Sequence, residues 1–370
     1  MYTFELTDKF LSQKEKEIFD DYLDYNGLDN SIWQMFNSLF NSGVKNTKPL
    51  LLKVFNEDDL YGVCIIIKCK KYGKSLFNNK LLIGLINAVN IPFYLWMKFG
   101  CGMDMMSNPG FVKDPEKSEE VFRAMLEYLK ENSLLTLIND YTENSGLYGS
   151  ASVLPALPHA LIDCSSMTSI DDYTKAYKNI NRKMRVFKNK GGEYIRIDRQ
   201  LNKDQLNSLE KCFLSTSEKS VFYLPYQELY LNAALNTGST RIENVYYFIA
   251  TLKDQFIGYQ AALLTGKYLV ALHGAFDRSR KTTYHAYDIL FVKMTEFALE
   301  KGLKIVDFGA VINYTKEKMI NRSKDMSYYI YSKYAIIQKT FNVLLKLTKI
   351  QGAEQMKFRH NNLIISKYKD

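Results

Sequence analysis

Apolar and polar residues follow helical and then strand periodicities along the first part of the chain. The spacing of the apolar residues predicts amphipathic helices over Gln13–Tyr25 and Ser31–Ser42. Two runs rich in β-branched and aromatic residues come next, Leu50–Phe55 and Tyr61–Cys69, on either side of the polar turn residues 56–59. This order predicts two helices followed by a hairpin that begins a central sheet.

The next apolar stretch, Leu81–Met97, carries no charged residue and is slightly short for a membrane span. Because it also contains Asn87, Asn90 and Pro92, we interpret it as a core strand and loop, with a membrane-contacting surface as the alternative. A helix over Lys117–Asn132 and a strand over Leu134–Ile138 are predicted after it. We place a domain boundary near residue 165, which gives domains of residues 1–165 and 166–370.

The second half repeats this order of elements, so the sequence predicts a duplicated α/β unit. The order of helices and strands is repeated, whereas the amino-acid sequence itself is not. The predicted helices are Asp171–Lys190, Lys203–Ser215, Tyr226–Leu235 and Tyr284–Lys301. The predicted strands are Glu193–Ile197, Val245–Leu252, Phe256–Leu264, Tyr268–Phe276, Leu303–Phe308 and Met326–Tyr331.

The chain of 370 residues is basic, with 49 Lys and Arg against 40 Asp and Glu and a net charge of +9. This excess favours anionic partners, such as a phosphate-bearing cofactor, tRNA or an acidic membrane surface. A solvated basic surface is the alternative, and DNA is not an expected partner. The basic stretch Lys175–Lys190 is the densest part of this charge, with seven Lys and Arg and no acidic residue.

The five cysteines are scattered and form no C-x-x-C motif, which is typical of reduced thiols in a reducing compartment. With four histidines and no closely spaced ligand pairs, we expect no metal site. The first 17 residues contain no apolar core, so we expect no signal peptide there and a cytoplasmic location.

A candidate anion site lies between the strand Tyr268–Phe276 and the helix that begins at Tyr284. The N–H groups at a helix start and the positive end of its dipole attract a diphosphate. The connecting segment adds three cations and three hydroxyls: Arg278, Ser279, Arg280, Lys281, Thr282 and Thr283. The alternative is a plain helix start that Thr282 or Thr283 caps.

A second group of candidates follows the buried strand Leu303–Phe308. Asp307 stands at the end of this strand, where ligands of α/β sheets bind, and Gly309 allows a sharp turn. Tyr314 and Lys316 could then fold back over the cleft. The alternatives are a turn-forming Asp307 and a solvated loop.

The order of these motifs resembles the FemAB/FemX-like branch of the GNAT superfamily, including its BioF-like N-acyltransferases. The segment Tyr173–Arg185 resembles the entry motif Y-x-x-x-h-x-x-x-x-R-x-x-h-R, where h is apolar, with one residue fewer between its two arginines, Arg182 and Arg185. The motifs Glu300-Lys301-Gly302-Leu303 and Asp307-Phe308-Gly309, then Tyr314 and Lys316, follow in the family's order. The chain departs from the family at Val311, where a second glycine is usual, at Thr315 between the Tyr and the Lys, and in its more basic loop before the helix.

The resemblance covers roughly residues 30 to 335 and implies two tandem GNAT-like α/β (α+β) domains, each a mixed, mostly antiparallel sheet flanked by helices. It also implies an acyltransferase that passes an acyl group from acyl-CoA to a small-molecule amine, with no metal. In such a site a backbone N–H of Ala275 or Phe276 would hold the oxyanion and contact the donor. The candidate bases are His273 and Asp307, and Tyr314 would protonate the leaving thiolate.

Strand alternation predicts that His273 and Ala275 share one face and that Gly274 and Phe276 share the other. A histidine in a central strand is also compatible with a plain core residue. For the acceptor side we predict Lys316, Arg182 on the basic helix, and Trp96 in the first half.

Three functions remain open from the sequence. The first is N-acylation of a small amine, amino acid or amino sugar by acyl-CoA or an acyl carrier. The second is an aminoacyl-tRNA-dependent transfer to a peptidoglycan precursor, for which the charged heptad run of a coiled-coil arm would be expected but is not seen. The third is a GNAT-shaped binding module without catalysis.

Overall fold

The computed structural model describes residues 2–41, 47–69, 93–97, 110–155, 158–177, 179–198, 200–217, 235, 242–277, 285–310 and 319–348.

Among its described residues, the first half builds one sheet with four helices beside it. The helices are α1 (Gln13–Glu17), α2 (Asp20–Asn26), α3 (Ser31–Phe40) and α4 (Ser118–Asn132). The strands are β1 (Tyr2–Thr7), β2 (Thr47–Asn56), β3 (Asp59–Cys69), β4 (Phe93–Met97), β5 (Phe111–Val112), β6 (Thr136–Tyr141) and β7 (Ser152–Pro155). Short 3₁₀ turns cover Pro115–Lys117 and Thr142–Leu147.

The second half builds another sheet, with the helices α5 (Ile170–Ala176), α6 (Ile180–Asn189), α7 (Lys203–Ser217), α8 (Ala286–Glu300) and α9 (Ala335–Thr348). Its strands up to the central helix are β8 (His159–Asp163), β9 (Gly192–Ile197), β10 (Val245–Leu252), β11 (Gln255–Thr265) and β12 (Tyr268–Phe276). The later strands are β13 (Ile305–Ala310), β14 (Arg322–Lys324) and β15 (Met326–Tyr331).

The two sheets have the same topology, as the repeated element order predicts. The first sheet runs β1-β2-β3-β4-β6-β15-β7, with β5 beside β3, and the second runs β9-β10-β11-β12-β13-β8-β14. In each sheet an antiparallel meander is followed by one parallel pair, β4 with β6 and β12 with β13. The predicted architecture of two mixed, mostly antiparallel sheets flanked by helices is confirmed.

The two halves exchange one strand each. Strand β8 follows the first half in the chain but pairs with β13 and β14 of the second sheet. Strand β15 follows the second half but lies between β6 and β7 of the first sheet. The domain boundary near residue 165 stays a prediction, and it falls directly after the exchanged strand β8.

A shared core joins the two sheets. It contains Leu52 and Ile66 of the first sheet together with Leu161, Val270 and Ile305 of the second. We call the face of the second sheet that packs on this core the inner face. The opposite face, which we call the helix face, packs its own apolar residues against α8. Because neighbouring residues of a strand point to opposite faces, each strand of the second sheet contributes to both cores.

The helices differ from the predicted ones at two breaks. The predicted helix Gln13–Tyr25 is two helices that meet at Ile18 and Phe19, and Asp171–Lys190 breaks between Tyr177 and Asn179. Asn179 has a φ of 72°, a left-handed conformation that no helix interior accepts. Most of the predicted helix Tyr226–Leu235, and Leu81–Met97 up to Pro92, lie outside the described residues.

Three further observations bear on the class of protein. No helix in the described part of the chain combines the length and the apolar character that crossing a bilayer requires. Cys64, Cys164 and Cys212 are buried thiols. Among the same residues, His, Cys, Asp and Glu nowhere form a group of three or more that could hold a metal ion.

Candidate functional site

A gap opens in the second sheet between its two parallel strands. Strands β12 and β13 pair at three positions, of which the last joins Val270 to Asp307. Beyond this pair β12 continues to Phe276 and β13 to Ala310, and the described residues show no further pairing between them. The two strands therefore part in the middle of the sheet, and β12 presents six residues along the gap.

Each strand that borders the gap carries a β-bulge just beyond the last shared pair. In β12, Leu272 is the extra residue, since Ala271 pairs with Ala262 but His273 pairs with Ala261. In β13, residues 308 and 309 lie opposite the single residue Ala160 of β8. Bulges bend a strand and increase its twist, so the two bulges account for the parting of the strands.

The gap-side edge of β12 presents backbone groups of alternate residues. The N–H of Asp277 donates to the carbonyl of Ile257 on β11. Because successive amides of a strand point in opposite directions, the N–H groups of Phe276 and Gly274 point away from β11, towards the gap, whereas that of Ala275 points to β11. Of the two predicted oxyanion donors, this geometry favours Phe276 over Ala275.

A threonine of α7 currently holds the backbone of Phe276. The Oγ1 of Thr216 accepts a hydrogen bond from the N–H of Phe276 at 2.9 Å and donates one to its carbonyl at 2.8 Å. This hydroxyl thus satisfies the donor and the acceptor that an amide-containing ligand would use on the same edge. No local sequence signal marks Thr216, because it lies 60 residues before Phe276.

His273 lies on the inner face beside the β12 bulge. Its ring packs edge-on to Phe213 of α7, with 5.3 Å between ring centroids, and its Nδ1 lies 2.9 Å from the hydroxyl of Tyr259. Burial lowers the pKa of His273 to about 4 and raises the pKa of Tyr259 well above its usual value. The imidazole is therefore neutral at pH 7, which makes it a weak proton acceptor in the ligand-free protein.

Asp307 lies on the same inner face, on the other side of the gap. Its Oδ1 is 2.8 Å from the Nε2 of His159 on β8, and the side chains are 1% and 0% exposed. The same oxygen accepts a hydrogen bond from the N–H of Gly309 at 2.8 Å. The sequence predicts Asp307 at the end of its strand, whereas β13 continues to Ala310. No sequence signal marks His159, which only the strand exchange brings to Asp307.

The start of α8 is a charged cluster. The helix begins at Ala286 with His285 as its N-cap residue, in a left-handed conformation with φ 67°, so neither Thr282 nor Thr283 is the N-cap. Asp288 is buried in the first turn, and its Oδ1 lies 2.6 Å from the Nζ of Lys183 on α6. The basic helix α6 is thereby fixed beside the start of α8, where the anion site is predicted.

An aromatic row crosses the helix face beneath the gap. Phe276 of β12 packs on Tyr287 of α8 at 4.9 Å between centroids, and Tyr287 packs on Phe291 at 4.8 Å. Phe291 then stacks on Phe308 of β13 at 3.8 Å. The row connects β12 with β13, the two strands that border the gap. Aromatic packing on α8 therefore fixes the distance between the two strands on the helix face.

The contacts agree with the predicted alternation in β12. His273 and Ala275 pack towards the inner face, whereas Phe276 packs on α8.

Several candidates lie outside the described residues, namely the loop Arg278, Ser279, Arg280, Lys281, Thr282 and Thr283, and also Tyr314 and Lys316. Trp96 is described only by its backbone in β4.

Arg182 is exposed on α6, and so is Arg185, so both are accessible to an anionic ligand. Lys178, which belongs to the same basic stretch Lys175–Lys190, lies outside the described residues.

Comparison with known proteins gives the fold a context. Residues 174–317 match the family described as acetyltransferase (GNAT) domain. No curated protein matches the chain in sequence. Among solved structures, L-PGS from Bacillus licheniformis is similar with a TM-score of 0.54 at 12% identity, over 93% of this chain and 99% of that one.

Two further solved structures are similar along nearly their whole length. FemX gives a TM-score of 0.51 at 11% identity, over 91% of this chain and all of that one (100%). A tandem GNAT protein from the clavulanic acid biosynthesis pathway gives 0.50 at 10% identity, over 90% and 99%. Residues 174–317, in the second half of the chain, thus match a GNAT acetyltransferase domain, and the chain as a whole has the same fold as FemX and the tandem GNAT protein.

Proposed function

We propose that this protein is an N-acyltransferase that moves an acyl group from acyl-CoA to the amine of a small molecule, an amino acid or an amino sugar. The observation that carries the proposal is the gap between β12 and β13, which opens directly beyond the pair Val270–Asp307. The match of residues 174–317 to GNAT acetyltransferase domains supports the same reaction class.

The donor would lie across the start of α8 and along the gap. The first amides of α8 and the cations Arg278, Arg280 and Lys281 would hold its diphosphate. Its pantetheine arm contains amides that can pair with the gap-side backbone of β12, in place of the Thr216 hydroxyl. This pairing would bring the thioester carbonyl beside the N–H groups of Gly274 and Phe276.

The reaction then needs positioning and charge stabilisation more than a strong base. The amine attacks the thioester carbon, the N–C bond forms and the C–S bond breaks, while a gap-side N–H stabilises the oxyanion. His273 is a weak base with its pKa near 4, and Asp307 is buried in its pair with His159. We therefore assign the amine proton to water and the protonation of the thiolate to Tyr314.

The acceptor would approach from the inner face, because α8 covers the helix face. The first half packs on that inner face through the shared core. Its strand β4, which carries Trp96, is the counterpart of β12 in the repeated topology. We propose Trp96 and Lys316 as acceptor contacts and Arg182 as a contact for an anionic ligand.

The similarity to FemX and the exposed cations of α6 support the aminoacyl-tRNA-dependent reaction as the second candidate. The tandem fold extends over nearly the whole of FemX. The exposed cations of α6 beside the start of α8 would suit a nucleic-acid backbone as well as a nucleotide. A tRNA-borne donor and a peptidoglycan precursor as acceptor are the second candidate function.

Calorimetry with acetyl-CoA, a long-chain acyl-CoA and charged tRNA tests the proposal. We expect an acyl-CoA to bind, and the double variant R280A/K281A to weaken that binding by about tenfold or more, since charge-assisted hydrogen bonds to phosphate are lost. The variant K333A/K339A removes the same charge from exposed positions at α9 and serves as the control.

The outcomes separate the candidates. Binding of charged tRNA without binding of any acyl-CoA would establish the alternative donor and contradict the proposal. If none of the three ligands binds, the chain is a GNAT-shaped binding module without this activity.

A further inference from the structure

We propose that His159 and Asp307 form a clamp that holds the β13 bulge and thereby keeps the gap open for the acyl donor. This inference rests on the proposed function, because it assigns the gap to the donor. It makes His159, a residue that the family motifs do not include, a positioning residue of the site.

The clamp sits where β13 leaves β12. Asp307 is the last residue of β13 that pairs with β12 at Val270. On the other edge of β13 the register with β8 shifts directly after Asp307, from its pair with Leu161 to the pair of Ala310 with His159. The strand therefore gains its extra residue at the point where the gap begins, and the bulge bends it there.

One carboxylate oxygen joins both sides of this bulge. The Oδ1 of Asp307 accepts a hydrogen bond from the N–H of Gly309, which has a left-handed φ of 66°, and lies 2.8 Å from the Nε2 of His159. The first contact fixes the turn within β13, and the second ties that turn to β8. The pair is buried, so water does not compete for the hydrogen bond from Gly309 or for the contact with His159, and the geometry is held firmly.

The opposite wall of the gap has a matching arrangement. The bulge of β12 includes His273, whose Nδ1 contacts the hydroxyl of Tyr259 on the neighbouring strand β11. Both histidines lie on the inner face, and each ties a bulged strand to its outer neighbour. A histidine contact thus accompanies each of the two bulges that separate the walls.

The burial of the pair favours positioning over proton transfer. A base must reach the attacking amine, whereas the side chains of His159 and Asp307 are 0% and 1% exposed. Instead, Asp307 contacts His159 of β8 and accepts a hydrogen bond from the N–H of Gly309.

The first sheet offers a matched control. Asp140 is buried in β6, the strand that corresponds to β13, but its Oδ2 accepts hydrogen bonds from nearby residues, Tyr148 Oη at 2.6 Å and Asn144 Nδ2 at 2.9 Å. The variant D140N disturbs a buried aspartate of the same kind without touching the gap. It therefore measures how much of any effect is a general loss of stability.

The test compares H159F, which keeps a ring but has no N–H, with H159Q, which keeps an N–H donor at similar reach. We expect H159F to raise the Kd for acetyl-CoA about tenfold and to speed amide exchange at Gly309 by a similar factor. We expect H159Q to stay within about threefold of the wild type in both measurements. D140N should lower the thermal stability and leave the Kd for acetyl-CoA unchanged.

Two results would overturn the clamp. One is unchanged exchange at Gly309 in H159F. The other is a loss of kcat in both H159F and H159Q with unchanged acetyl-CoA affinity, which would make His159 a proton carrier. If the wild type binds no acyl-CoA, the proposed function fails, while the exchange measurement still decides whether the clamp exists.

Discussion

His273 shows how its surroundings decide the role of one side chain. It packs against Phe213 and contacts the hydroxyl of Tyr259, whose raised pKa keeps its proton available for donation to Nδ1. Because burial lowers the pKa of His273 to about 4, the imidazole is neutral at pH 7. The ring supports the bulge of β12 in this state and has no charge to offer at pH 7.

A consequence of this burial is a pH-dependent stability. Because the pKa of His273 is about 4 in the folded protein and about 6.5 when unfolded, the unfolded chain binds the extra proton between these values. The free energy of unfolding therefore falls as the pH drops through this window. We expect His273 to account for about 2 kcal/mol of the loss between pH 7 and pH 4.5.

Urea unfolding at several pH values checks this expectation. The variant H273Q, which does not titrate, should show a flatter dependence of the free energy of unfolding on pH. Identical slopes for wild type and H273Q would show that His273 is protonated in the fold as readily as in the unfolded chain.

Thr216 yields a second prediction at the scale of one residue. Its hydroxyl holds the N–H and the carbonyl of Phe276 in the ligand-free protein. Because a donor amide must displace it, T216V should bind acetyl-CoA about three- to tenfold more tightly, at a net cost of about 1 kcal/mol in the stability of the ligand-free protein. Calorimetry and thermal unfolding measure both quantities, and weaker binding by T216V would mean that the hydroxyl contacts the donor itself.

The sequence identifies site residues that lie close together in a motif better than site residues that only the fold brings together. It predicts the alternation of His273 with Phe276, since that depends only on strand periodicity. It predicts neither Thr216 nor His159, because their partners lie 60 and 148 residues away and depend on helix packing and on the exchanged strand.

At the scale of the elements, an ion pair attaches α6 to α8. The Nζ of Lys183 lies 2.6 Å from the Oδ1 of Asp288, with the side chains 27% and 6% exposed. Removal of the cation leaves a buried carboxylate with less compensation, and His285 remains 3.5 Å away. The attachment matters because α6 brings its exposed arginines beside the predicted anion site.

We expect K183M to lower the free energy of unfolding by about 2 kcal/mol. K188M, which removes an exposed lysine from the same helix, should change it by less than about 0.5 kcal/mol. Urea unfolding of both variants measures the difference. Equal effects of the two substitutions would show that the pair with Asp288 contributes nothing to the packing of α6.

The predicted bounds of helices and strands agree with the structure where the periodic pattern is long, and they differ from it where the chain turns. The meander β10-β11-β12 and the helix α8 lie close to their predicted bounds, since each has a strong apolar pattern and a clear turn or glycine at its end. The break of the basic helix at Asn179 was missed because the charge pattern continues across it. The strands β1, β8 and β14 were missed because short runs carry little periodic signal.

At the scale of the whole molecule, the strand exchange links the two halves into one folding unit. The fragment 1–165 retains β8 but lacks β15, which lies between β6 and β7. The fragment 166–370 lacks β8, so β13 and β14 lose their shared partner and Asp307 loses His159. The shared core would also be exposed in both fragments.

We therefore expect neither fragment to unfold cooperatively when it is made alone. Co-expression should restore a one-to-one complex with the near-ultraviolet spectrum of the intact chain. A fragment 166–370 that is monomeric, cooperative in its unfolding and able to bind acetyl-CoA would show that the second half is an independent domain.

The gap between β12 and β13 is the feature on which the functional account depends most. A crystal structure of the complex with acetyl-CoA tests it directly. We predict the diphosphate at the start of α8 and the pantetheine amides paired with the edge of β12 at Phe276, in place of Thr216. Acetyl-CoA bound elsewhere, with β12 and Thr216 unchanged, would contradict the account.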